Sequence, residues 1–317
     1  MTRPPPAPRA LSSGRALESF LRSVKPLAPA DRRVLVTQAL VLLEGFYVNL
    51  RLKRAMHAID PLQRLRLLRA RLDTMTDTAF HAELISIFTS LRDLHTQYHL
   101  PDPYRGRVAA LGFLVERYYP TQRAAPRYVI SKLHPRLAHG SFQPGVELVS
   151  WNGIPIQRAI ERNAERASGS NLDARVARGL ESLALRSLST TLPPDELFVL
   201  VGYKTRSGAI HEVRVQWRVL SPTPQGAGGA QDAVGTIVAH HGIDASAEAS
   251  RHAKRDLFAP ASARRTAIAD LMRAERLATD RHGDVGYLRI YSFNAASTRA
   301  FPIRPTPCCS SCPRAGS

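Results

Sequence analysis

Between Tyr98 and Pro101 the 317-residue chain changes its hydrophobic rhythm, and this change sets the fold class before any other feature is considered. Upstream, Leu62, Leu65, Leu68 and Leu72 recur at intervals of three and four, as do Phe80, Leu84, Phe88 and Leu91, the spacing that lines one face of a helix. Downstream, residues 110–119 and 128–133 are rich in aromatic and β-branched side chains, and 145–151 alternates from side to side as a strand does. Helices gathered at one end and strands at the other predict an α+β chain with a helical bundle ahead of a β-rich domain.

Local signals sharpen that division. In the first helix Asp31 is placed as the cap, with Val34, Leu35, Leu42, Leu43 and Phe46 on the buried side. Asp60-Pro61 opens the second, because the carboxylate accepts orphan backbone donors and proline sits where its missing N–H costs nothing. The third starts near Asp77. Together they predict a helical cap over 16–100, behind a proline- and arginine-rich stretch, 1–15, expected to be disordered. In the β-rich part, Asn152-Gly153 is the strongest short hairpin signal, since both residues tolerate positive φ. Helices are expected over 156–167 and 171–185, and strands over 197–205 and 210–219 flank the turn Arg206-Ser207-Gly208. These elements make one unit, 101–220.

From 221 to 284 the chain reads as a linker or insertion, with Pro222, Pro224 and the glycines of 226–229 in a loop and surface helices over 245–258 and 264–278. The pattern from Gly286 to Phe293 is again that of a strand, the opening of a further domain over 285–300. Residues 301–317, proline-rich and holding all three cysteines, Cys308, Cys309 and Cys312, read as an aberrant or disordered tail.

The formal charge of +18 raises the question of nucleic acid, because Lys and Arg neutralise phosphates. The arginines are scattered, many on helix faces such as Arg64, Arg66, Arg69 and Arg71, and no nucleic-acid-binding signature accompanies them, so no nucleic-acid partner is expected. No run approaches the roughly 18 apolar residues of a membrane span. The best stretch, 34–50, is broken by Gln38, Glu44 and Asn49 and reads as one buried helix. Residues 2–9 are not followed by an apolar core and cleavage site, so no signal peptide is visible and the chain as written reads as cytoplasmic. No metal or cofactor is expected. The cysteines lack further ligands, His240, His241 and His252 lack a carboxylate at ligand spacing, and neither the glycines of 226–229 nor Gly140 has the strand-loop-helix context of a phosphate cradle.

Four stretches carry a family resemblance. Leu91-Arg92-Asp93-Leu94-His95-Thr96 with Tyr98, then 144–153 with Pro155, then Leu192-Pro193-Pro194-Asp195-Glu196, and finally Gly286-Tyr287-Leu288-Arg289-Ile290 with Ser292-Phe293 occur in an order that resembles the C-terminal-processing (tail-specific) serine peptidases and their tricorn-like core. The resemblance implies a helical cap, a PDZ-like peptide-binding domain and the start of an α/β peptidase core that stops before its nucleophile segment. It further implies serine-type proteolysis with recognition of peptide or protein C-termini, inactive in the chain as given. A non-catalytic PDZ-like binding module is the alternative. Many relatives in that family are exported.

Two sets of site residues follow from the resemblance. His95 stands where tricorn-type relatives place a catalytic base; the structural alternative is a hydrogen-bonded turn made with Asp93. Leu111-Gly112-Phe113, after Ala110, resembles the loop whose backbone N–H groups hold a peptide carboxylate, with Lys132 adding positive charge; a simple bulge is the alternative. Trp151 and Trp217, at strand ends, read as packing residues.

Overall fold

The computed structural model of the protein describes residues 11, 13–221, 245–258, 272–279 and 283–290. The expectations for the glycines of 226–229, for His240 and His241, and for the cysteine-bearing tail lie outside these residues. The chain divides into two compact units, Met1–Phe258 and Ala259–Ser317.

The first unit opens with five helices: α1 (Leu17–Leu21), α2 (Pro29–Val41), α3 (Leu50–His57), α4 (Pro61–Ala70) and α5 (Asp77–Ser90). Asp60 caps α4 as its sequence predicts, its carboxylate accepting from the Gln63 N–H at 3.0 Å, with Pro61 in the first turn. Thr76 caps α5 through the Ala79 N–H. Leu62, Leu65, Leu68, Leu72, Phe80, Leu84, Phe88 and Leu91 are all buried in one cluster, as their spacing requires.

The first helix departs from expectation. It starts at Pro29, with Asp31 inside the first turn and not at the cap. Its buried residues are Val36, Ala39, Leu40 and Leu43, whereas Val34, Leu42 and Phe46 are exposed. The stretch 34–50 is not one helix: α2 passes into a π-helical turn, Leu42–Phe46, and α3 follows at an angle of 98°. The wider π turn shifts the helical phase, so residues that share a face on a uniform helix diverge here. Among the described residues no single helix is long and apolar enough to cross a membrane.

A buried polar cluster ties α2 to α5. Asp77 accepts from the Leu27 N–H at 3.1 Å and lies 3.2 Å from the Arg32 guanidinium and 3.3 Å from His81 Nε2. Arg32 also donates to the Met75 carbonyl at 2.9 Å, and His81 Nδ1 bonds the Tyr98 hydroxyl at 2.8 Å.

The β-rich domain holds β2 (Val108–Ala110), β3 (Phe113–Tyr118), β4 (Arg127–Leu133), β5 (Glu147–Trp151), β6 (Ile154–Pro155), β7 (Leu185–Ser187), β8 (Phe198–Lys204), β9 (Ile210–Gln216) and β10 (Arg218–Leu220), with helices α6 (Ile156–Ala164) and α7 (Leu172–Glu181). Asn152 and Gly153 adopt φ of 49° and 80° between β5 and β6, the hairpin turn predicted there. The antiparallel order β3-β4-β5-β8-β9 forms the main sheet, with β6 on β5. A second sheet runs β1-β10-β2-β7, where β1 is Arg15–Ala16. Two stretches that read as continuous strands are thus divided between sheets, one at Leu111-Gly112 and the other at Trp217. Trp217 is wholly buried there, with the Arg186 guanidinium over its ring, and burial first, then Arg166, pulls the Arg186 pKa down to about 10. Trp151 is likewise a core residue, packed edge-on to Phe113.

Three expectations about segment boundaries are corrected. Leu11 is 2% exposed and β1 pairs with β10, so the stretch 1–15 is ordered over Leu11 and 13–15 because Leu11 joins the core and Arg15 pairs with Val219. The helix Ala245–Phe258, α8, packs on β7 and β2 and adds Ala249, Ala253 and Leu257 to the core of the β-rich domain, which a linker would not do. Finally, 272–278, expected to be helical, belongs to a strand, β11 (Met272–Thr279), paired antiparallel with β12 (Gly283–Ile290) from Met272 opposite Ile290 to Thr279 opposite Gly283. The strand read in the sequence at Gly286 thus begins at Gly283. Cross-strand pairing overrides the helix propensity of Arg-Ala-Glu-Arg-Leu-Ala.

Candidate functional site

Among the described residues, the main sheet ends on one side at β3, whose ladder partner is β4. An end strand presents backbone N–H and C=O groups on its open side, the template for adding another strand. α7 packs beside β3. It is set on α6 by the buried Asn163 amide, which donates to the Gly179 carbonyl at 2.7 Å, and is capped by the Asn171 carboxamide at the Ala174 N–H. Strand edge and helix thus lie side by side, with Leu111-Gly112 at the start of the strand.

That start is tightly tied. The Leu111 N–H donates to the Ala184 carbonyl at 3.0 Å, and the Gly112 carbonyl accepts from the His134 N–H at 2.9 Å. Leu111 and Phe113 are fully buried. Gly112 has φ of 87°, and a Cβ there would lie 2.5 Å from Leu11 Cδ2 and 2.7 Å from Leu137 Cδ1. Positive φ and close packing both demand glycine at this position. The group that approaches it in the structure is the chain's own Leu11. Lys132 sits on β4 opposite Leu114.

His95 lies on the loop that leaves α5. Asp93 organises it: one carboxylate oxygen accepts the His95 N–H at 2.9 Å, and the other accepts the Tyr47 hydroxyl at 2.7 Å. Burial pushes the Asp93 carboxyl up, but the His95 N–H, the Tyr47 hydroxyl and Lys53 outweigh it and hold its pKa below the usual carboxylate range. The same contact, after burial, pushes the Tyr47 phenol up. The turn between Asp93 and His95 is therefore present as a structural unit, and the imidazole stands exposed at its tip. His95 and the 111–113 stretch sit on separate elements, the first on the cap loop and the second at the start of the main sheet.

The sequence reading missed a group of side chains where cap and β-rich domain meet: His57, Ser90, Arg92, Ser170 and Arg175 line a common cavity. Among the described residues no group of three or more His, Cys, Asp and Glu side chains is placed to hold a metal ion.

Residues 108–224 match the PDZ domain family. The end strand, the flanking helix and the glycine at the start of the strand thus belong to a PDZ-like domain. No curated protein matches the chain. Among solved structures it is similar to mature CPAF, with a TM-score of 0.50 and 18% identity over 83% of this chain and 47% of that one. A serine-to-alanine mutant of CPAF gives 0.48 and 16%, and mature CPAF complexed with lactacystin gives 0.49 and 19%, each over 83% of this chain and 48% of the other. The chain spans about half the length of the CPAF chains it matches. At this identity the likeness establishes the fold, a helical N-terminal region joined to a β-rich PDZ-like domain.

Proposed function

We propose that this chain is the recognition portion of a serine peptidase of the tail-specific type, and that its PDZ-like domain captures peptide C-termini by adding them as a strand along β3. The observation that carries the reading is the open edge of β3 beside α7, with Leu111-Gly112 at its start. Main-chain hydrogen bonds to such an edge give affinity and the flanking helix supplies side-chain selectivity; with the Leu111 N–H already donated to Ala184, a terminal carboxylate is to be held by the backbone N–H groups that follow it at the start of β3. Support for the peptidase context comes from the four sequence stretches that resemble the tail-specific family, and the PDZ match and the fold shared with CPAF agree with the domain order they imply. His95, on its Asp93-ordered loop, is the general base within this proposal.

The test is hydrogen exchange on the protein with and without peptides that end in a free carboxylate, beside the same peptides with an amidated end. Expected are protection of the 113–118 amides, none at 210–216 on the opposite sheet edge, and loss of both binding and protection on amidation. Equal binding of the amidated peptides, or protection of β9 in place of β3, sinks the proposal.

A further inference from the structure

The cavity at the junction of the cap and the PDZ-like domain has a volume of about 250 Å³ and is lined by His57, Ile59, Ser90, Arg92, Ser170 and Arg175. Its walls come from both sides of the junction. His57 ends α3, Ser90 ends α5, Arg92 follows it, Ser170 precedes the Asn171 cap of α7, and Arg175 lies one turn into that helix. No carboxylate lines the cavity.

The positive groups are held there by contacts that leave their charge uncompensated. Arg92 adopts a left-handed φ of 52°, and its guanidinium donates to the Glu165 and Ala167 carbonyls at 3.4 and 3.1 Å. Its own carbonyl accepts from Lys53 Nζ at 3.3 Å and from the Ser170 hydroxyl at 3.1 Å, and Lys53 reaches the Ser170 oxygen at 3.1 Å. Among the described residues, none of Lys53, Arg92 and Arg175 has a carboxylate within ion-pair distance; Glu165 acts on Arg92, and Asp93 feels Lys53, from farther off. On two of the lining residues, His57 Nε2 and Arg175 Nε are sealed from solvent with no hydrogen-bond partner, which leaves the remaining ring and guanidinium nitrogens of these side chains as the groups that can face the cavity.

We infer that this cavity is a binding site for a phosphate-type oxyanion, which bridges the helical cap and the PDZ-like domain. A multiply charged tetrahedral group accepts hydrogen bonds from several directions at once, which matches the guanidinium and imidazole donors of Arg92, Arg175 and His57, carried by two helices and the loop after α5. The α7 N-terminus adds its backbone dipole on the same side. A water's share of liquid volume is about 30 Å³, so the space takes a phosphate and its residual hydration. The site stands on residues separate from the β3 edge and does not depend on the reading proposed for that edge. Burial, then Lys53, Arg92 and Arg175, hold the His57 pKa below the ordinary imidazole value; a bound anion reverses the sign of that field.

The test titrates inorganic phosphate, and separately a phosphoserine peptide, into the full chain at low ionic strength and near neutral pH, following thermal unfolding and the NMR titration of the His57 imidazole. Phosphate about ten-fold above its dissociation constant raises the unfolding midpoint by roughly 3 to 6 °C. The same addition raises the titration midpoint of His57. Arg175→Gln abolishes the thermal shift, while Arg123→Gln, on an exposed turn, keeps it. Should Arg175→Gln not fold, His57→Gln serves for the thermal shift and wild-type His57 NMR for the site. Saturation by inorganic phosphate alone identifies the free ion as ligand, and tighter binding of the phosphopeptide identifies a modified side chain. An unmoved His57 titration, or equal thermal shifts in Arg175→Gln and Arg123→Gln, overturns the inference.

Discussion

The chain gathers basic side chains in two places, one buried inside the cap and one half-open at the junction with the PDZ-like domain, and settles their charge in opposite ways. Inside the cap, Arg32, His81 and Tyr98 gather around Asp77, whose carboxylate serves the Leu27 N–H and faces both bases. At the junction with the PDZ-like domain, His57, Arg92 and Arg175 gather around a cavity that no carboxylate lines. A buried positive group is tolerable when a negative one completes it, and the cost of removing one partner far exceeds the value of the pair. The first cluster is therefore a structural clamp whose charge is balanced within the chain, with Arg32 Nε left without a hydrogen-bond partner. The second has the form of a site whose counter-charge comes from outside.

The sharpest way to break this contrast is Asp77→Ala. It strands Arg32 and His81 in the cap, with side-chain exposures of 10% and 1%, and removes the acceptor for Leu27, so a loss of about 3–5 kcal/mol in urea unfolding is expected. A loss under about 1 kcal/mol would show that the Asp77 cluster is no clamp.

A smaller effect comes from pH. Burial holds the His81 pKa below its ordinary value, with Asp77 opposing and Arg32 reinforcing the shift. Tyr98 bonds one ring nitrogen, and Phe80 and Tyr104 pack on the ring. A folded-state pKa below the unfolded one makes the contribution of His81 complete above about pH 6.5, and acid removes it as pH falls from there through the folded value. The pH dependence of the urea midpoint in that window flattens in His81→Gln. An unchanged slope in the variant assigns the dependence elsewhere.

The smallest expected change is Arg175→Met, which removes one cation from a cluster already rich in them. Relief of repulsion with Arg92 and His57 offsets the lost contacts, so stability in phosphate-free buffer stays within about 0.5 kcal/mol of the parent. Its rise with added sodium chloride is shallower than the parent's, because salt screens what the substitution has removed. Destabilisation comparable to that of Asp77→Ala would erase the distinction between the two clusters.

Where each residue's role depends on its near neighbours in sequence, the fold is legible. Leu62, Leu65 and Leu68 sit on one capped, uninterrupted helix, with Leu72 in the short turn that follows it, and Asn152-Gly153 makes its turn by backbone preference alone. Leu42 and Phe46 misled because the π turn at Leu42–Phe46 changes which positions share a face, a register no periodicity count contains, whereas Val34 lies in the regular part of α2 on the side away from Val36, Ala39 and Leu40. β11 was hidden for a related reason: Arg273 to Ala278 is helix-prone locally and becomes a strand only opposite β12. In the site, Gly112 was legible as a position demanding glycine, and Leu11, which fills the space above it, was not, since the whole helical cap lies between them in sequence. The five polar residues of the cavity come from three helices and the two loops beside them, and each taken alone is an ordinary basic or hydroxyl residue on a helix or loop.

Leu11 and β1 also decide where this protein has a seam. The opening residues lie against Gly112 and along β10, and α8 returns from the far side of the sequence to cover β2 and β7. The PDZ-like fold is in this sense stitched shut by threads drawn from beyond both of its ends. A fragment trimmed to 101–220 would open a hole at Gly112, bare the outer side of β10 and lose the lid over β2, so the smallest self-sufficient piece of this architecture reaches from Leu11 to Phe258.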